Sequence, residues 1–156
     1  MTYSSAVFQS DSDDLAVAQT NKYRRLADLA DIRPGDHVLE IGCGWGGFAK
    51  YAIEERGARV TGITISREQH NFALNRLAEA GLSDRADVRL IDYRDLTGKF
   101  DKIVSIEMFE AVGQAYWETY FRAVSALLKD GGRAVLQAIT IEDNAFDEYV
   151  REPDFI

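Results

Sequence analysis

Short apolar runs rich in β-branched residues alternate along this chain with longer segments of helical periodicity. The runs are HVLEIG at 37–42, ARVTGITI at 58–65, ADVRLID at 86–92, KIVSIEM at 102–108 and RAVLQAIT at 133–140. Helices are predicted at 15–29, 46–56, 66–80 and 115–129, and the last three end at glycines. This alternation predicts a parallel sheet with helices on both faces, which is a doubly wound, Rossmann-like α/β fold.

The amino-acid composition indicates which binding partners and which cellular compartment to expect for the protein. The 156 residues suit one domain, and a content of 46% hydrophobic and 28% charged residues suits a folded core. A net charge of −8 disfavours binding to nucleic acid. No apolar stretch is long enough to span a membrane, and the first residues do not resemble a secretion signal. With one cysteine and two distant histidines, we expect no disulfide, no metal site and a cytoplasmic location.

The first apolar run leads into a glycine-rich turn, VLEIGCGWGG at 38–47. Its glycines satisfy the pattern G-x-G-x-x-G, which is a weak signal when it stands alone. In a doubly wound sheet the ligand binds outside the carboxyl ends of the strands, and this turn lies at such an end. A dinucleotide enzyme would carry an acid at the end of the second strand, where this chain has GITIS at 62–66. The acid is instead Glu40, which favours a ligand with a cationic amino group over a pyrophosphate.

The pattern E-x-G-x-G-x-G after a first strand resembles motif I of class I S-adenosylmethionine-dependent methyltransferases. Over nearly its whole length the chain resembles the cyclopropane-fatty-acyl-phospholipid synthase family, including its mycolic-acid members. The stretches that carry this resemblance are YSSAVF (3–8), VLEIGCGWGG (38–47), GARVTGITISREQ (57–69), DYRDL (92–96), FDKIVSIEMFEAVG (100–113) and LKDGGRAVLQAIT (128–140).

The resemblance implies a class I methyltransferase fold in a single S-adenosylmethionine-binding domain over 1–156. Within it, we expect an N-terminal cap and helix at 1–36 and the sheet core at 37–140. Family members continue well beyond a segment like REPDFI at 151–156. The resemblance therefore also implies that this chain lacks the last strands and the C-terminal lipid-binding part.

The cofactor implied by the resemblance is S-adenosylmethionine. Tyr3 and Ser4 match a motif that closes over the methionine end of the cofactor, and Thr64 and Gln69 match ribose contacts. A second interpretation of Gln69, from the residues alone, is a capping box with Ser66, and both stay open. The complete predicted cofactor set is Tyr3, Ser4, Glu40, Gly42, Gly44, Gly46, Thr64, Gln69, Asp92, Tyr93 and Ile106.

The catalytic residues implied by the resemblance are Glu110, Gln137 and Ser5. In the family, the glutamate matched by Glu110 helps to hold a bicarbonate ion. This chain departs from the family because Ser5 replaces a cysteine, and Gln137 and Ala111 replace histidines. Ser5 and Gln137 can still donate hydrogen bonds to an anion. The methyl-transfer half of the reaction is therefore better supported than ring closure through bicarbonate.

The implied function is transfer of a methyl or methylene group to the double bond of unsaturated acyl chains in phospholipids. The implied partner is an unsaturated acyl lipid, with peripheral membrane contact through the C-terminal part that the chain lacks. Three alternatives stay open: methylation of an amine nitrogen, acyl-chain methylation without ring closure, and a non-catalytic cofactor-binding module. The sequence also leaves open whether the chain forms a homodimer.

Overall fold

The computed structural model describes residues 2–151, including their side chains except at 147–150. The strands are β1 (His37–Ile41), β2 (Arg59–Thr64), β3 (Ala86–Leu90), β4 (Phe100–Ile106) and β5 (Leu128–Gln137). The α-helices are α1 (Leu15–Ala30), α2 (Gly47–Arg56), α3 (Arg67–Glu79), α4 (Trp117–Leu127) and α5 (Asp143–Arg151). Short 3-10 turns lie at 83–85, 109–111 and 114–116.

The strands form one sheet in the order β3-β2-β1-β4-β5, and every neighbouring pair is parallel. From β1, the chain adds β2 and then β3 on one side of the sheet, and it then crosses to the other side to add β4 and β5. This reversal is the point at which open α/β sheets bind ligands, at the carboxyl ends of their strands. The prediction of a doubly wound Rossmann-like sheet is confirmed.

Alternate residues of the central strands enter two separate hydrophobic clusters. Val38 and Val104 belong to the cluster that contains residues of α1, α2 and α3. Leu39 and Ile103 belong to the cluster that contains residues of α4. Since successive side chains of a strand point to opposite faces, the sheet is covered on both sides.

The largest difference from the predicted boundaries lies between α4 and β5. The helix ends at Leu127 and β5 begins at Leu128, so the glycines at 131–132 lie inside the strand rather than after the helix. The register with β4 shifts between Phe100 and Lys102, which accommodates these extra residues as a bulge. A Cβ at Gly132 would lie 2.8 Å from the carbonyl oxygen of Asp101. The glycine therefore permits close strand approach and does not terminate a helix.

Three properties of the described part of the chain bear on function. None of its helices is both long and apolar enough to cross a membrane. No group of three or more His, Cys, Asp or Glu side chains within residues 2–151 is placed to hold a metal ion. Cys43 is buried, and burial raises the pKa of its thiol, so this side chain is poorly suited to act as a nucleophile.

Candidate cofactor and active site

The glycine turn is tied to the neighbouring strand where β1 ends. The N–H groups of Gly42 and Cys43 both donate to the carbonyl oxygen of Ile63, at 3.0 and 2.9 Å. Gly42 has a φ of +77°, and a Cβ there would lie 2.7 Å from Cγ of Met108. Both the backbone conformation and the close approach therefore require glycine at this position.

Glu40 lies beneath the turn and is 3% exposed. It lines a small cavity of about 30 Å³, and its Oε2 atom is buried without a hydrogen-bond partner among the described residues. Burial raises the pKa of this carboxyl group to about 8, against the effect of the Ala49 backbone N–H and of the charges on Lys22 and Arg76. A buried carboxylate oxygen without a donor is unfavourable, and a ligand ammonium would satisfy it.

A second cavity, of about 490 Å³, opens at the carboxyl edge of the sheet. This volume lies in the range of sites for small molecules and cofactors. Tyr3, Gly42 and Ile106 line both cavities, so the two spaces adjoin. All but one of the predicted cofactor residues line one or both: Tyr3, Ser4, Glu40, Gly42, Gly44, Thr64, Gln69, Asp92, Tyr93 and Ile106.

Gly46 is the exception. It is the N-cap of α2, and a Cβ there would lie 3.1 Å from Cβ of Ala73 in α3. Gly46 lines neither cavity, and its lack of a side chain allows α2 and α3 to pack closely. The adjacent Gly47, which was outside the predicted set, lines the small cavity.

Gln69 contributes its backbone N–H to the cap of α3 and also lines the large cavity. Its backbone N–H donates to the hydroxyl of Ser66 at 3.3 Å, which caps α3. Its side chain does not complete a capping box, because Oε1 accepts from the hydroxyl of Thr64 at 2.9 Å and Nε2 donates to the Tyr3 hydroxyl at 3.4 Å. Thr64 and Gln69 therefore present a connected polar surface to the large cavity.

Asp92 and Tyr93 follow β3 on the far side of the same cavity. Arg94 donates to both carboxylate oxygens of Asp92, from Nε at 2.9 Å and from a terminal nitrogen at 2.7 Å. These bonds lower the pKa of Asp92, against the effect of burial. Tyr93 packs edge-on against Tyr120, with ring centroids 5.3 Å apart. The loop therefore holds a fixed, ionised acceptor at the cavity wall.

The N-terminal segment, residues 2–8, is tied to the rest of the site by side chains of α1. Gln19 donates to the backbone oxygen of Ser4 at 2.7 Å, and the Lys22 ammonium donates to its hydroxyl at 2.6 Å. Lys22 is 1% exposed, and burial lowers its pKa to about 8 although Glu107 and Glu40 act in the opposite direction. Lys22 was not among the predicted site residues, although its position four residues after Ala18 and four before Leu26 puts it on the apolar stripe of α1.

Two of the three predicted catalytic residues meet at a residue that was not predicted. Glu107, at the end of β4, accepts from the Ser5 backbone N–H at 3.0 and 3.1 Å and from Nε2 of Gln137 at 2.7 Å. Glu110 lies elsewhere: it accepts from the backbone N–H of Ile139, and its Oε2 atom is buried without a partner among the described residues. Only Glu107 of these two glutamates lines the large cavity.

The bicarbonate ion implied by the resemblance does not fit this arrangement. Ser5 and Gln137 were its expected donors, and the backbone N–H of Ser5 and the side-chain amide of Gln137 already donate to the Glu107 carboxylate. A second anion at these donors would meet a like charge at contact distance. The described residues therefore place the Glu107 carboxylate at the donors that the resemblance assigned to a bound bicarbonate ion.

Comparison with known proteins identifies the family. The model of the mycolic acid cyclopropane synthetase family matches residues 1–156. Tuberculostearic acid methyltransferase UfaA1 of Mycobacterium tuberculosis is 44% identical over 148 residues, covering 90% of this chain and 34% of that protein. Cyclopropane-fatty-acyl-phospholipid synthase of Escherichia coli is 41% identical over 139 residues, covering 89% of this chain and 35% of that protein.

A solved structure supports the same assignment. Mycolic acid cyclopropane synthase CmaA1, complexed with SAH and CTAB, matches with a TM-score of 0.87 and 29% identity, over 97% of this chain and 53% of that one. This chain thus spans about a third of the length of the two relatives and about half of CmaA1. The fold and the predicted cofactor agree with these matches, and the chain belongs to the mycolic acid cyclopropane synthetase family of S-adenosylmethionine-dependent methyltransferases.

Proposed function

We propose that the protein transfers a methyl or methylene group from S-adenosylmethionine to the double bond of an unsaturated acyl chain in a lipid. The observation that carries the proposal is the unpartnered, buried oxygen of Glu40 beside the bare glycine turn. That arrangement suits the cationic amino group of an amino-acid cofactor. The names of the relatives, a fatty-acid methyltransferase and a cyclopropane synthase, support an acyl substrate.

Each end of the cofactor is assigned its own residues in this proposal. Glu40 holds the amino group, while Thr64 and Gln69 bond to the ribose hydroxyls. Asp92 follows β3 and Glu107 follows β4, and these two strands lie three positions apart in the sheet. At about 4.8 Å between strands, their positions are separated by roughly 14 Å. Asp92 therefore serves the adenine end, and Glu107 belongs to the reacting end.

When bound, S-adenosylmethionine would supply a methyl group on a cationic sulfur: the substrate π bond would form a bond to the methyl carbon, and the C–S electron pair would stay on the departing sulfur. The acyl chain then carries a positive charge, and this chain's residues control its fate. The cavity wall on the Glu107 side is mostly apolar, with Ile106, Met108, Ala111, Val112 and Tyr116. Such a wall excludes water, and the tyrosine ring can stabilise a nearby cation.

Glu110 has a positioning role in this proposal. Its bond to the Ile139 backbone fixes the segment that follows β5, two residues beyond Gln137. It thereby holds the Gln137 side chain against Glu107. We further propose that the protein works in the cytoplasm and reaches its lipid through peripheral contact with the membrane.

The test is incubation of the full-length protein with S-adenosylmethionine carrying a labelled methyl group and vesicles of phospholipid with cis-unsaturated chains. We expect label in the lipid and a mass gain of one CH₂ per modified chain. Vesicles of the matching saturated phospholipid are the control and should stay unlabelled. NMR of the product separates a cyclopropane ring from a chain methylated without ring closure.

Two outcomes would overturn the proposal. Label that appears only in small amines would make the protein an amine methyltransferase. Binding of S-adenosylmethionine without label in any acceptor would favour a cofactor-binding module.

A Glu40→Gln variant should lose transfer in parallel with cofactor binding, since its neutral amide does not attract an ammonium group.

A further inference from the structure

Glu107 has a backbone conformation that residues other than glycine rarely adopt. Its φ is +47°, in the left-handed region, which is unfavourable for a residue with a Cβ. The other non-glycine residue with positive φ among the described residues is Asp31, which caps the C-terminus of α1. Glu107 ends no helix, so its conformation has no comparable local explanation. Backbone strain of this kind is found preferentially at functional sites.

Hydrogen bonds with two distant parts of the chain fix Glu107. The N-terminal segment donates through Ser5, and β5 donates through the Gln137 side chain. The Glu107 N–H donates to the backbone oxygen of Gln137 at 2.8 Å, so the same strand anchors both ends of the residue. Burial disfavours the charged carboxylate, but the hydrogen bonds from Ser5 and Gln137 and the Lys22 charge outweigh it and lower its pKa.

The other acids near the cavities have different partners. Asp92, which also lines the large cavity, is paired with Arg94, and Glu40 lines the small cavity with the glycine turn. Glu110 bonds to the backbone after β5 and lines neither cavity. Glu107 is thus the carboxylate that is both fixed by donors from separate elements and placed on the apolar side of the large cavity.

We propose that the Glu107 carboxylate is the built-in base of this active site and takes the place of a bound bicarbonate ion. This inference rests on the proposed function. After methyl transfer the acyl chain carries a cation, and Glu107 accepts a proton from the newly added methyl carbon. The electron pair of the broken C–H bond forms a bond to the cationic carbon, which closes the ring. The proton moves to the carboxylate, so no oxidant or reductant is required.

The first test needs no variant. The wild-type full-length protein is assayed in buffer freed of carbon dioxide, with and without added bicarbonate. We expect the same rate of lipid methylation in both. In parallel, the NMR line width of isotope-labelled bicarbonate is followed on addition of the protein, and we expect no broadening. A rate that depends on bicarbonate, or broadening that shows binding, would overturn the inference.

The second test removes the carboxylate without straining the backbone. Glu107→Gly suits the positive φ, and we expect a loss of about 100-fold or more in turnover, the usual effect of a general base. The space left by the side chain should admit formate or bicarbonate, so either ion should restore turnover. The NMR line of labelled bicarbonate should broaden on addition of this variant. Glu107→Gln keeps the side chain in place and should be inactive and not rescued. Glu118→Gln, at an exposed position on α4, is the matched control and should behave as wild type.

The outcomes separate this inference from the proposed function. If the wild type does not methylate lipid, the proposed function fails. If the wild type methylates lipid and Glu107→Gln keeps its rate, the proposed function stands and the role of Glu107 is refuted. If Glu107→Gly does not fold, the measurements on the wild type still decide the matter.

Discussion

At the scale of single residues, the site is defined by carboxylates with different surroundings. Glu40 is buried, one of its oxygens has no hydrogen-bond partner within the part of the chain that the structure describes, and burial raises its pKa to about 8. Glu107 has donors on its carboxylate and a lowered pKa, although burial acts against this. The difference between these two pKa values suits the two roles proposed for the carboxylates. Glu40 becomes charged when a cation arrives, whereas Glu107 is charged in advance and can accept a proton.

The raised pKa of Glu40 predicts that cofactor binding releases a proton. Near neutral pH the free protein holds Glu40 mostly protonated, and the cofactor ammonium favours the ionised form. The affinity of the protein for S-adenosylmethionine should therefore rise by up to about tenfold from about pH 6 to about pH 7. Calorimetry in two buffers of different ionisation enthalpy measures the released proton. Glu40→Gln is the control and should release none. An equal release from both proteins would contradict the assignment.

Sequence alone located Glu40 but not Glu107 or Lys22. Glu40 stands beside the glycine motif, so its position in the chain already places it at the ligand edge of the sheet. Glu107 is held by donors from Ser5 and Gln137, which are distant in sequence, and its left-handed backbone conformation leaves no mark in the residue pattern. Lys22 resembles any helical lysine until packing shows it buried against Ser4. Patterns in a single sequence do not show contacts between residues that lie far apart in the chain.

At the scale of elements, the glycine turn links the sheet to the segment after β4. Gly42 permits the turn to leave β1 while Met108 packs directly above it. The same contact places Met108 and Glu107, which line the large cavity, beside Gly42. The turn and the β4 segment therefore form adjoining walls of one site.

A pair of glycine substitutions isolates this contact. Gly42 and Gly35 both have positive φ, but a Cβ at Gly35 would meet nothing within 4 Å. Both alanine variants carry the backbone strain, and only Gly42→Ala also collides with Met108. We expect Gly42→Ala to lose about 1–3 kcal/mol more free energy of unfolding than Gly35→Ala. Urea denaturation measures this difference, and equal losses would show that Met108 does not constrain the turn.

The elements themselves were largely predictable. Each of the five apolar runs became a strand, because buried parallel strands need continuous β-branched residues. The boundary between α4 and β5 was wrong because glycines at 131–132 indicate a helix end. Their actual role, a bulge that approaches Asp101, depends on the neighbouring strand. Gly46 shows the same limit, since its neighbour Ala73 lies in another helix.

At the scale of the whole molecule, the strand order brings both ends of the cofactor site together. The reversal between β1 and β4 opens the edge of the sheet, and the glycine turn and Glu107 lie on its two sides. The N-terminal segment then lies over the gap, held through Ser4 by α1 and through Ser5 by Glu107. Segments from the start, middle and end of the described chain therefore complete one site.

The most direct test of this account is a calorimetric titration of the full-length protein with S-adenosylmethionine, alongside one with a nicotinamide dinucleotide. The account predicts saturable binding of S-adenosylmethionine at one site and no binding of the dinucleotide. Saturation by the dinucleotide, with no heat from S-adenosylmethionine, would contradict it.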